Sequence, residues 1–180
     1  MVYVLLGEGF EEVEAITPVD LLRRAGVTVN TVGVTGKIVP GSHGIGIEAD
    51  ITLDQMDLSS CEMIVLPGGL KGVASLRSSQ KAMDAVAACW KAGKFTAAIC
   101  AGPTVLADLG IPDGKEATCY PGCEEKMGSA RMVPDAAAVR DGKLITGTSA
   151  GCAIPFALKL IQALKGEDTA RAIEKQIVIR

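Results

Sequence analysis

The sequence predicts an α/β fold in which a mostly parallel β-sheet is covered by helices on both faces. Short apolar runs alternate along the chain with segments of helical periodicity, which is typical of strands that are buried on both sides. The apolar fraction of 48% provides a sizeable core, and 180 residues suit one compact domain. With no repeat, low-complexity segment or linker in the sequence, we expect residues 1–180 to form a single domain.

The apolar pattern assigns the elements in chain order. The predicted strands are Val2–Leu6, Val27–Val34, Met63–Leu66, the run from Phe95 to Cys100 and a short strand at Ala117–Cys119. A hairpin is predicted around Asp141-Gly142, and a hairpin or an irregular pair of strands over Ile38–Glu48. The predicted helices run from Glu11 to a stop at Gly26 and over Gln80–Lys91, Thr104–Leu109, Gly151–Lys165 and Thr169–Gln176. Pro18 predicts a kink in the first helix, or a second helix that begins there.

Composition and charge argue against several classes of function. The net charge of −3, with no basic run, provides no electrostatic footprint for nucleic acid binding. No apolar run reaches the roughly 18 residues of a membrane-spanning helix, so no membrane association is expected. The N-terminal residues lack the charged region and long apolar core of a signal peptide. We therefore expect a cytoplasmic protein whose six cysteines are thiols rather than a disulfide framework.

The stretch from Phe95 to Thr104 is the first candidate functional site. A buried strand ends on Cys100, small residues follow at once, and a helical pattern begins at Thr104. A sharp strand-to-helix turn with a nucleophile at its apex is the nucleophile-elbow arrangement. The positive end of the following helix favours a thiolate at Cys100, which would make the sulfur reactive. An unreactive cysteine buried in the core is the alternative.

Partners for Cys100 are expected at the carboxyl ends of the strands, where sites in open parallel sheets lie. Four loops should meet there around one pocket, namely Gly7–Glu14, Pro67–Gly72, Cys100–Pro103 and Gly147–Gly151. Glu14 is the best carboxylate, because burial would raise its pKa and make it a protonated hydrogen-bond donor and general acid/base. Alternatively, Glu11, Glu12 and Glu14 form a solvated acidic first turn.

Other residues are weaker candidates. Gly68 and Gly69 follow a strand and would supply N–H groups for an oxyanion hole, or form only a tight turn. His43 is the single histidine and is expected on a surface loop. Tyr120 would bring a hydroxyl near the pocket. The scattered cysteines and the incomplete glycine fingerprint predict no metal site and no nucleotide cofactor.

Five of the six cysteines receive other assignments. Cys119 and Cys123 are weakly indicated as a reversible disulfide, because they are four residues apart. Cys61, Cys89 and Cys152 are interpreted as packing residues, although Cys152 lies close to a predicted loop at the edge of the sheet.

Taken together, these residues resemble the ThiJ/PfpI superfamily and, within it, the DJ-one branch. The resemblance runs over essentially the whole chain and lies in the blocks Gly9–Ala15, Pro18–Gly26, Ile64–Gly69, Ala97–Pro103 and Phe156–Leu158. It implies a flavodoxin-like three-layer α/β sandwich that forms a homodimer and uses no cofactor. It also implies that Cys100 is the reactive cysteine and Glu14 its protonated partner. Amides of Gly68, Gly69, Cys100 and Ala101 would form the oxyanion site.

Members of this branch are described as glyoxalases that convert methylglyoxal to lactate, as deglycases acting on glyoxal adducts of proteins, and as oxidative-stress sensors or chaperones. The first hypothesis is therefore a cysteine-dependent glyoxalase or deglycase that acts on small 2-oxoaldehydes or glycated protein. The second is a redox sensor that works through oxidation of Cys100. A peptidase or amidase, as in other branches of the superfamily, is the third.

The sequence departs from the branch at several candidate pocket positions. Tyr120 stands where many members have a histidine, which counts against a Cys–His–acid triad and so against peptidase activity. His43 replaces a basic residue of the loop before the hairpin. Arg24, inside the second matching block, is a further candidate for the pocket. Thr148–Cys152 stands where an Arg-Gly-Pro-Gly type sequence is often seen, so substrate contacts there are expected to differ.

Overall fold

A seven-stranded sheet organises the chain. The structure is a computed structural model that describes residues 1–179. In chain order the strands of this sheet are β1 (Val2–Leu6), β2 (Val29–Gly33), β5 (Ile51–Thr52), β6 (Met63–Leu66), β7 (Phe95–Ile99), β10 (Ala138–Asp141) and β11 (Leu144–Gly147). Their spatial order is β10-β11-β7-β6-β1-β2-β5, and every pairing is parallel except that of β10 with β11. Two small sheets pair β3 (Ile38–Pro40) with β4 (Gly46–Glu48) and β8 (Glu116–Ala117) with β9 (Arg131–Met132).

Within residues 1–179, six helices cover the two faces of the sheet and complete a three-layer sandwich. They are α1 (Glu12–Arg24), α2 (Leu70–Ser78), α3 (Gln80–Lys91), α4 (Pro103–Ala107), α5 (Ala153–Lys165) and α6 (Glu167–Gln176). Alternate strand residues point to opposite faces, so β1 sends Val4 into one hydrophobic cluster and Leu5 into the other. The first cluster includes residues of α1, α5 and α6, and the second includes residues of α2, α3 and α4. The α/β sandwich predicted from sequence is confirmed.

The strand order places a topological switch point at β1. The chain passes from β1 to β2 on one side and later adds β6 on the other side. Loops that leave the carboxyl ends of β1 and β6 therefore diverge and open a crevice, which is where ligands bind in such sheets. The loop after β7, which begins at Cys100, lies next to this crevice because β7 pairs with β6.

Two helices differ from the sequence prediction. Residues 70–78 form α2, although the stretch Pro67–Gly72 was predicted as a loop. Only Gly72, Val73 and Leu76 of this helix are buried, a stripe too narrow to give a clear apolar period. Helix α1 continues through Pro18 without a break into two helices.

Three predicted elements, Val2–Leu6, Met63–Leu66 and Gln80–Lys91, have the predicted ends, and the others are found with shifted ends. The fourth helix spans Pro103–Ala107 rather than Thr104–Leu109, and the short strand predicted at Ala117–Cys119 covers Glu116–Ala117. None of the helices within residues 1–179 is long and apolar enough to cross a membrane.

Candidate active site

Cys100 occupies the sharp turn between β7 and α4. Its φ angle is 64°, which places a non-glycine residue in the left-handed region at a cost of about 1–3 kcal/mol. The Cys100 N–H donates to the Gly147 carbonyl at 2.9 Å and so extends the pairing of β7 with β11 by one residue. At Gly102 an added Cβ would lie 2.7 Å from the Leu66 carbonyl oxygen, so the turn packs closely against the end of β6. This is the nucleophile-elbow geometry that the sequence predicts.

Glu14 lies behind the elbow, in the first turn of α1, and is fully buried. Its Oε2 accepts a hydrogen bond of 2.9 Å from the Gly68 N–H. Its Oε1 is buried and accepts no bond from an N–H or O–H group of residues 1–179. A Cβ added to Gly68 would lie 2.6 Å from Glu14 Oε2 and 2.7 Å from Cys100 Cβ. The carboxyl and the thiol therefore approach each other across a position that only glycine fits.

Burial and mutual interaction raise the pKa values of both groups. Burial raises the pKa of Glu14 to about 7, although hydrogen bonds with the Cys100 thiol and the Gly68 amide act in the opposite direction. Burial and the negative charge of Glu14 raise the pKa of Cys100 to about 12, against hydrogen bonds from the Ala101 and Gly69 amides. The first proton of the pair therefore leaves near pH 7 and the second near pH 12. Between these values the Glu14 carboxyl is ionised and the Cys100 thiol keeps its proton, so the pair holds one proton and one negative charge.

This result corrects the expectation that the following helix would lower the pKa of the Cys100 thiol. The nearby amides do favour the charged sulfur, but burial and the adjacent carboxylate outweigh them. The expectation for Glu14 has the right direction, because its pKa is raised by burial.

Only two of the four amides expected in the oxyanion site remain free of other bonds. The Gly68 N–H is occupied by the Glu14 carboxylate and the Cys100 N–H by the Gly147 carbonyl. The Gly69 and Ala101 amides instead act on the Cys100 sulfur and favour its charged form. An oxyanion formed at a carbon attached to this sulfur would lie near the same two amides.

A pocket of about 280 Å³ opens above the sulfur. It is lined by Glu11, Gly69, Leu70, Cys100, Ala101, Tyr120 and Cys123. Three of the four predicted loops supply five of these residues, and Tyr120 and Cys123 come from the segment after β8. The fourth loop, Gly147–Gly151, touches the elbow through the Gly147 carbonyl. The volume of the pocket lies just below the range of about 300–1,000 Å³ that is typical of small-molecule sites.

Comparison with known proteins agrees with this geometry. Residues 1–163 match the model of the DJ-1/PfpI family. The chain belongs to the DJ-1/PfpI family. It is 36% identical to the protein dj-1beta of Drosophila melanogaster over 98% of this chain and 95% of that protein. The crystal structure of Drosophila DJ-1beta superposes with a TM-score of 0.93 and covers 99% of this chain and 97% of its own.

Two further relatives extend the comparison beyond animals. The crystal structure of a mutant DJ-1 superfamily protein from Salmonella typhimurium has 34% identity and a TM-score of 0.93, with 99% of this chain and 98% of that chain covered. A protein of Pyrococcus abyssi named a deglycase is 28% identical over 91% of this chain and 99% of its own length. The predicted resemblance to this family is confirmed.

Tyr120 and His43 are two of the positions at which the sequence departs from the family pattern, and only Tyr120 lies at the pocket. The Tyr120 N–H donates to the Cys100 carbonyl at 2.8 Å, so Tyr120 borders the pocket, with about half of the residue exposed. His43 is outside the pocket lining and lies beside Glu12, with 3.1 Å between its Nδ1 and Glu12 Oε2. A hydrogen bond with Glu12 raises the pKa of His43. Cys100 therefore has an acid partner and no histidine partner.

Glu12 is buried, although the sequence left a solvated first turn open. Its carboxylate accepts hydrogen bonds from the His43 N–H at 2.7 Å, the Ile45 N–H at 3.4 Å and the Ser42 hydroxyl at 3.0 Å. Burial raises the pKa of Glu12, but the bonds from His43 and Ser42 outweigh it and lower that pKa to about 2. Glu11, Glu12 and His43 each have an atom that could bind a metal ion, and these atoms lie within 4.8 Å of one another. Both carboxylate oxygens of Glu12, however, already accept hydrogen bonds from the β3–β4 hairpin.

Arg24 is not brought to the pocket. It lies in the last turn of α1, ten residues from Glu14 and about 15 Å along the helix axis, and its Nε pairs with Asp20 at 2.9 Å.

Three pocket residues, Glu11, Leu70 and Cys123, were not singled out from the sequence. Glu11 lies three residues before the predicted Glu14. Whether its side chain faces the pocket depends on how α1 is rotated about its axis, and the acidic residues of the first turn do not determine that rotation.

Proposed function

We propose that this protein is a cofactor-independent glyoxalase or deglycase that acts on small 2-oxoaldehydes such as methylglyoxal or on their early protein adducts. The observation that carries the proposal is the single proton shared by Cys100 and the buried Glu14 beneath a small pocket. The Glu14 carboxylate takes this proton from the thiol as Cys100 attacks, so the sulfur reacts as a thiolate whose charge the Gly69 and Ala101 amides favour. A nucleophile and a general acid are then present in the same pair of residues.

The reaction begins when the Cys100 thiolate adds to the aldehyde carbon and forms a carbon–sulfur bond. The Gly69 and Ala101 amides hold the developing oxyanion, and the Glu14 carboxyl delivers its proton to give a hemithioacetal. Glu14, now a carboxylate, removes the hydrogen from the former aldehyde carbon and gives an enediolate, whose hydroxyl proton moves to the neighbouring oxygen. Glu14 then returns its proton to the former ketone carbon, and the oxygen on the sulfur-bearing carbon becomes the thioester carbonyl.

The product of this transfer is a thioester of lactate on Cys100. Water hydrolyses the thioester, releasing lactate and restoring the protonated pair. The net change is addition of one water to methylglyoxal, so no redox cofactor is consumed. On an early glyoxal adduct of a protein, the same thiolate would attack the carbon that carries the adduct.

Lactate production from methylglyoxal tests the mechanism. We expect Cys100→Ala to abolish turnover, because Cys100 is the nucleophile that lies beside Glu14. Glu14→Gln should lower the rate about 10²–10⁴-fold, because it retains the shape and loses the transferable proton. Glu8→Gln, an exposed carboxylate in the loop after β1, should leave turnover unchanged. Lactate formation at the wild-type rate by Cys100→Ala would falsify the mechanism.

A redox sensor remains the second candidate, because Cys100 is half-buried and borders an open pocket. The Gly69 and Ala101 amides and the Glu14 carboxyl that support the thiolate would also hold the oxygens of a sulfinate. Intact-mass measurement after mild peroxide treatment should show oxygen added at Cys100 before the other cysteines. If Cys100 stays unmodified while other cysteines gain oxygen, this role is excluded.

The same fold supports the expectation of a homodimer. Val13 and Ile16, one turn apart on α1, are 50% and 39% exposed, and Ile38 and Ile45 of the neighbouring hairpin are 73% and 58% exposed. The hairpin adjoins the start of α1 through the bond from Ser42 N–H to the Phe10 carbonyl. Such an apolar surface suits the centre of an interface between two copies.

Light scattering measures the oligomeric state directly. Wild type should have twice the chain mass, and Ile16→Lys should have the mass of one chain. Leu58→Lys is the matched control, because Leu58 is also 39% exposed and lies away from α1. A wild-type protein with the mass of a single chain at micromolar concentration would exclude the dimer.

A further inference from the structure

Two cysteines outside the active site lie with their sulfur atoms in contact. Cys61 directly follows a short 3₁₀ helix, Leu58–Ser60, and precedes β6, whereas Cys89 lies near the end of α3. Their Sγ atoms are 3.2 Å apart and hydrogen-bonded, although the residues are 28 positions apart in the chain. Both are buried in the cluster on the α3 face of the sheet, where the sequence predicts simple packing residues.

The contact is close to the geometry of a bond. A disulfide has an S–S distance of about 2.05 Å, so the sulfurs need to approach each other by only about 1 Å. The elements that carry them already pack together: Cys61 and Cys89 belong to the same hydrophobic cluster. Neither cysteine is among the residues that line the Cys100 pocket.

The electrostatic surroundings distinguish the two thiols. The hydrogen bond with the Cys61 thiol lowers the pKa of Cys89, and the charge of Lys94 acts in the same direction, against the effect of burial. The hydrogen bond with Cys89 and burial raise the pKa of Cys61. Cys89 is therefore the thiol that ionises first, and Cys61 keeps its proton and stands beside it as a second thiol.

We propose that Cys61 and Cys89 are a second oxidisable site, a buried dithiol that a hydroperoxide converts to a disulfide independently of Cys100. The Cys89 thiolate attacks the peroxide oxygen and becomes a sulfenic acid, and the peroxide's other oxygen leaves as water or alcohol. The Cys61 sulfur then attacks the Cys89 sulfur, the S–S bond forms, and the hydroxyl leaves with the Cys61 proton as water. Two thiols are oxidised by two electrons and one hydroperoxide is reduced.

The bond would join α3 to the segment that leads into β6. Strand β6 is followed directly by Pro67-Gly68-Gly69, and the Gly68 N–H donates to Glu14 beside Cys100. The disulfide would therefore stabilise the strand that positions Gly68. Closing a loop of this length is expected to raise the melting temperature by about 5–10 °C. Reduction with dithiothreitol should reverse the increase.

Peptide mapping identifies the bond without ambiguity. Cleavage after lysine and arginine places Cys61 in residues 38–71, Cys89 in residues 82–91, Cys100 in residues 95–115 and Cys152 in residues 144–159, while Cys119 and Cys123 share residues 116–126. The full-length reduced protein is treated with hydrogen peroxide, alkylated and digested without reductant. We expect 38–71 joined to 82–91, at a mass two hydrogens below the sum of the two thiol peptides.

Variants separate this site from Cys100. Cys100→Ala should form the same linked peptide, because the dithiol acts alone, whereas Cys89→Ala and Cys61→Ala should not form it and should show no rise in melting temperature. Unlinked 38–71 and 82–91 peptides in wild type whose Cys100 is already oxidised would overturn the proposal. Loss of the linked peptide in folded Cys100→Ala would overturn it as well, because the oxidation would then pass through Cys100. Neither result bears on turnover of 2-oxoaldehydes.

Discussion

At the residue scale, the buried Glu14 carboxyl makes the stability of the protein depend on pH. Its pKa rises from the ordinary value of 4.5 to about 7 on folding. The folded state therefore holds a proton that the unfolded state has lost between pH 4.5 and pH 7. Stability is highest below this window and falls as pH rises through it, by about 3 kcal/mol for a shift of this size.

Glu14→Gln removes this ionisation. Between pH 5 and pH 8 the free energy of unfolding of the variant should therefore fall by about 3 kcal/mol less than that of wild type. Urea unfolding of both proteins at the two pH values measures the difference. The comparison also cancels the contribution of His43, whose raised pKa causes stability to fall in the same direction. Equal pH dependence in the two proteins would show that Glu14 does not hold its proton on folding.

Gly68 provides a second prediction at the residue scale. In Gly68→Ala the new methyl group would lie 2.6 Å from Glu14 Oε2 and 2.7 Å from Cys100 Cβ, so the two groups must move apart. We expect a loss of about 1–3 kcal/mol and slower alkylation of Cys100 by iodoacetamide. Gly151→Ala is the control, because its nearest atom would be Ser149 Oγ at 3.9 Å. Unchanged alkylation in Gly68→Ala would argue against the shared proton.

At the scale of elements, Glu12 connects the β3–β4 hairpin to α1. Its depressed pKa means that this stabilisation is present above about pH 4.5 and is lost as pH falls towards 2. At pH 7, Glu12→Gln should cost about 1–3 kcal/mol and increase hydrogen exchange of the amides of residues 41–46. Glu48→Gln, on the exposed side of the same hairpin, should change neither. Equal exchange in the two variants would mean that the hairpin does not depend on Glu12.

The elements that sequence predicted well are those buried on both sides. Strands β1 and β6 are continuous apolar runs, and their ends follow from the glycines and prolines beside them. Helix α2 could not be predicted in the same way, because Gly69 begins it with a φ of 87° and Leu70 in its first turn is 81% exposed. The glycine predicts a turn and the exposed leucine breaks the apolar period. The three buried residues of α2 are too few to predict a helix.

At the scale of the whole molecule, the proposed dimer predicts that thermal stability depends on protein concentration. Association stabilises the folded state by mass action, so the melting temperature of wild type should rise when the protein is concentrated one hundred-fold. In Ile16→Lys the melting temperature should not change with concentration. Calorimetry at two concentrations makes the comparison, and a wild-type melting temperature independent of concentration would contradict a reversible dimer.

Sequence also predicted which loops meet, because parallel strands place their carboxyl ends at one edge of the sheet. It could not determine how each polar group is used there. The Gly68 and Cys100 amides were expected in the oxyanion site, but neighbours in space occupy them. The direction of the Cys100 pKa depends on burial and on a carboxylate 86 positions away in the chain, neither of which local spacing contains.

The left-handed backbone of Cys100 has a consequence for laboratory evolution. Glycine adopts a φ of 64° without the steric cost that a cysteine carries there. A library screened only for heat resistance should therefore enrich Cys100→Gly over Cys100→Ala, while a library screened for consumption of methylglyoxal should keep cysteine. If the first screen selects glycine and the second retains cysteine, position 100 carries a residue that lowers stability and is required for the reaction.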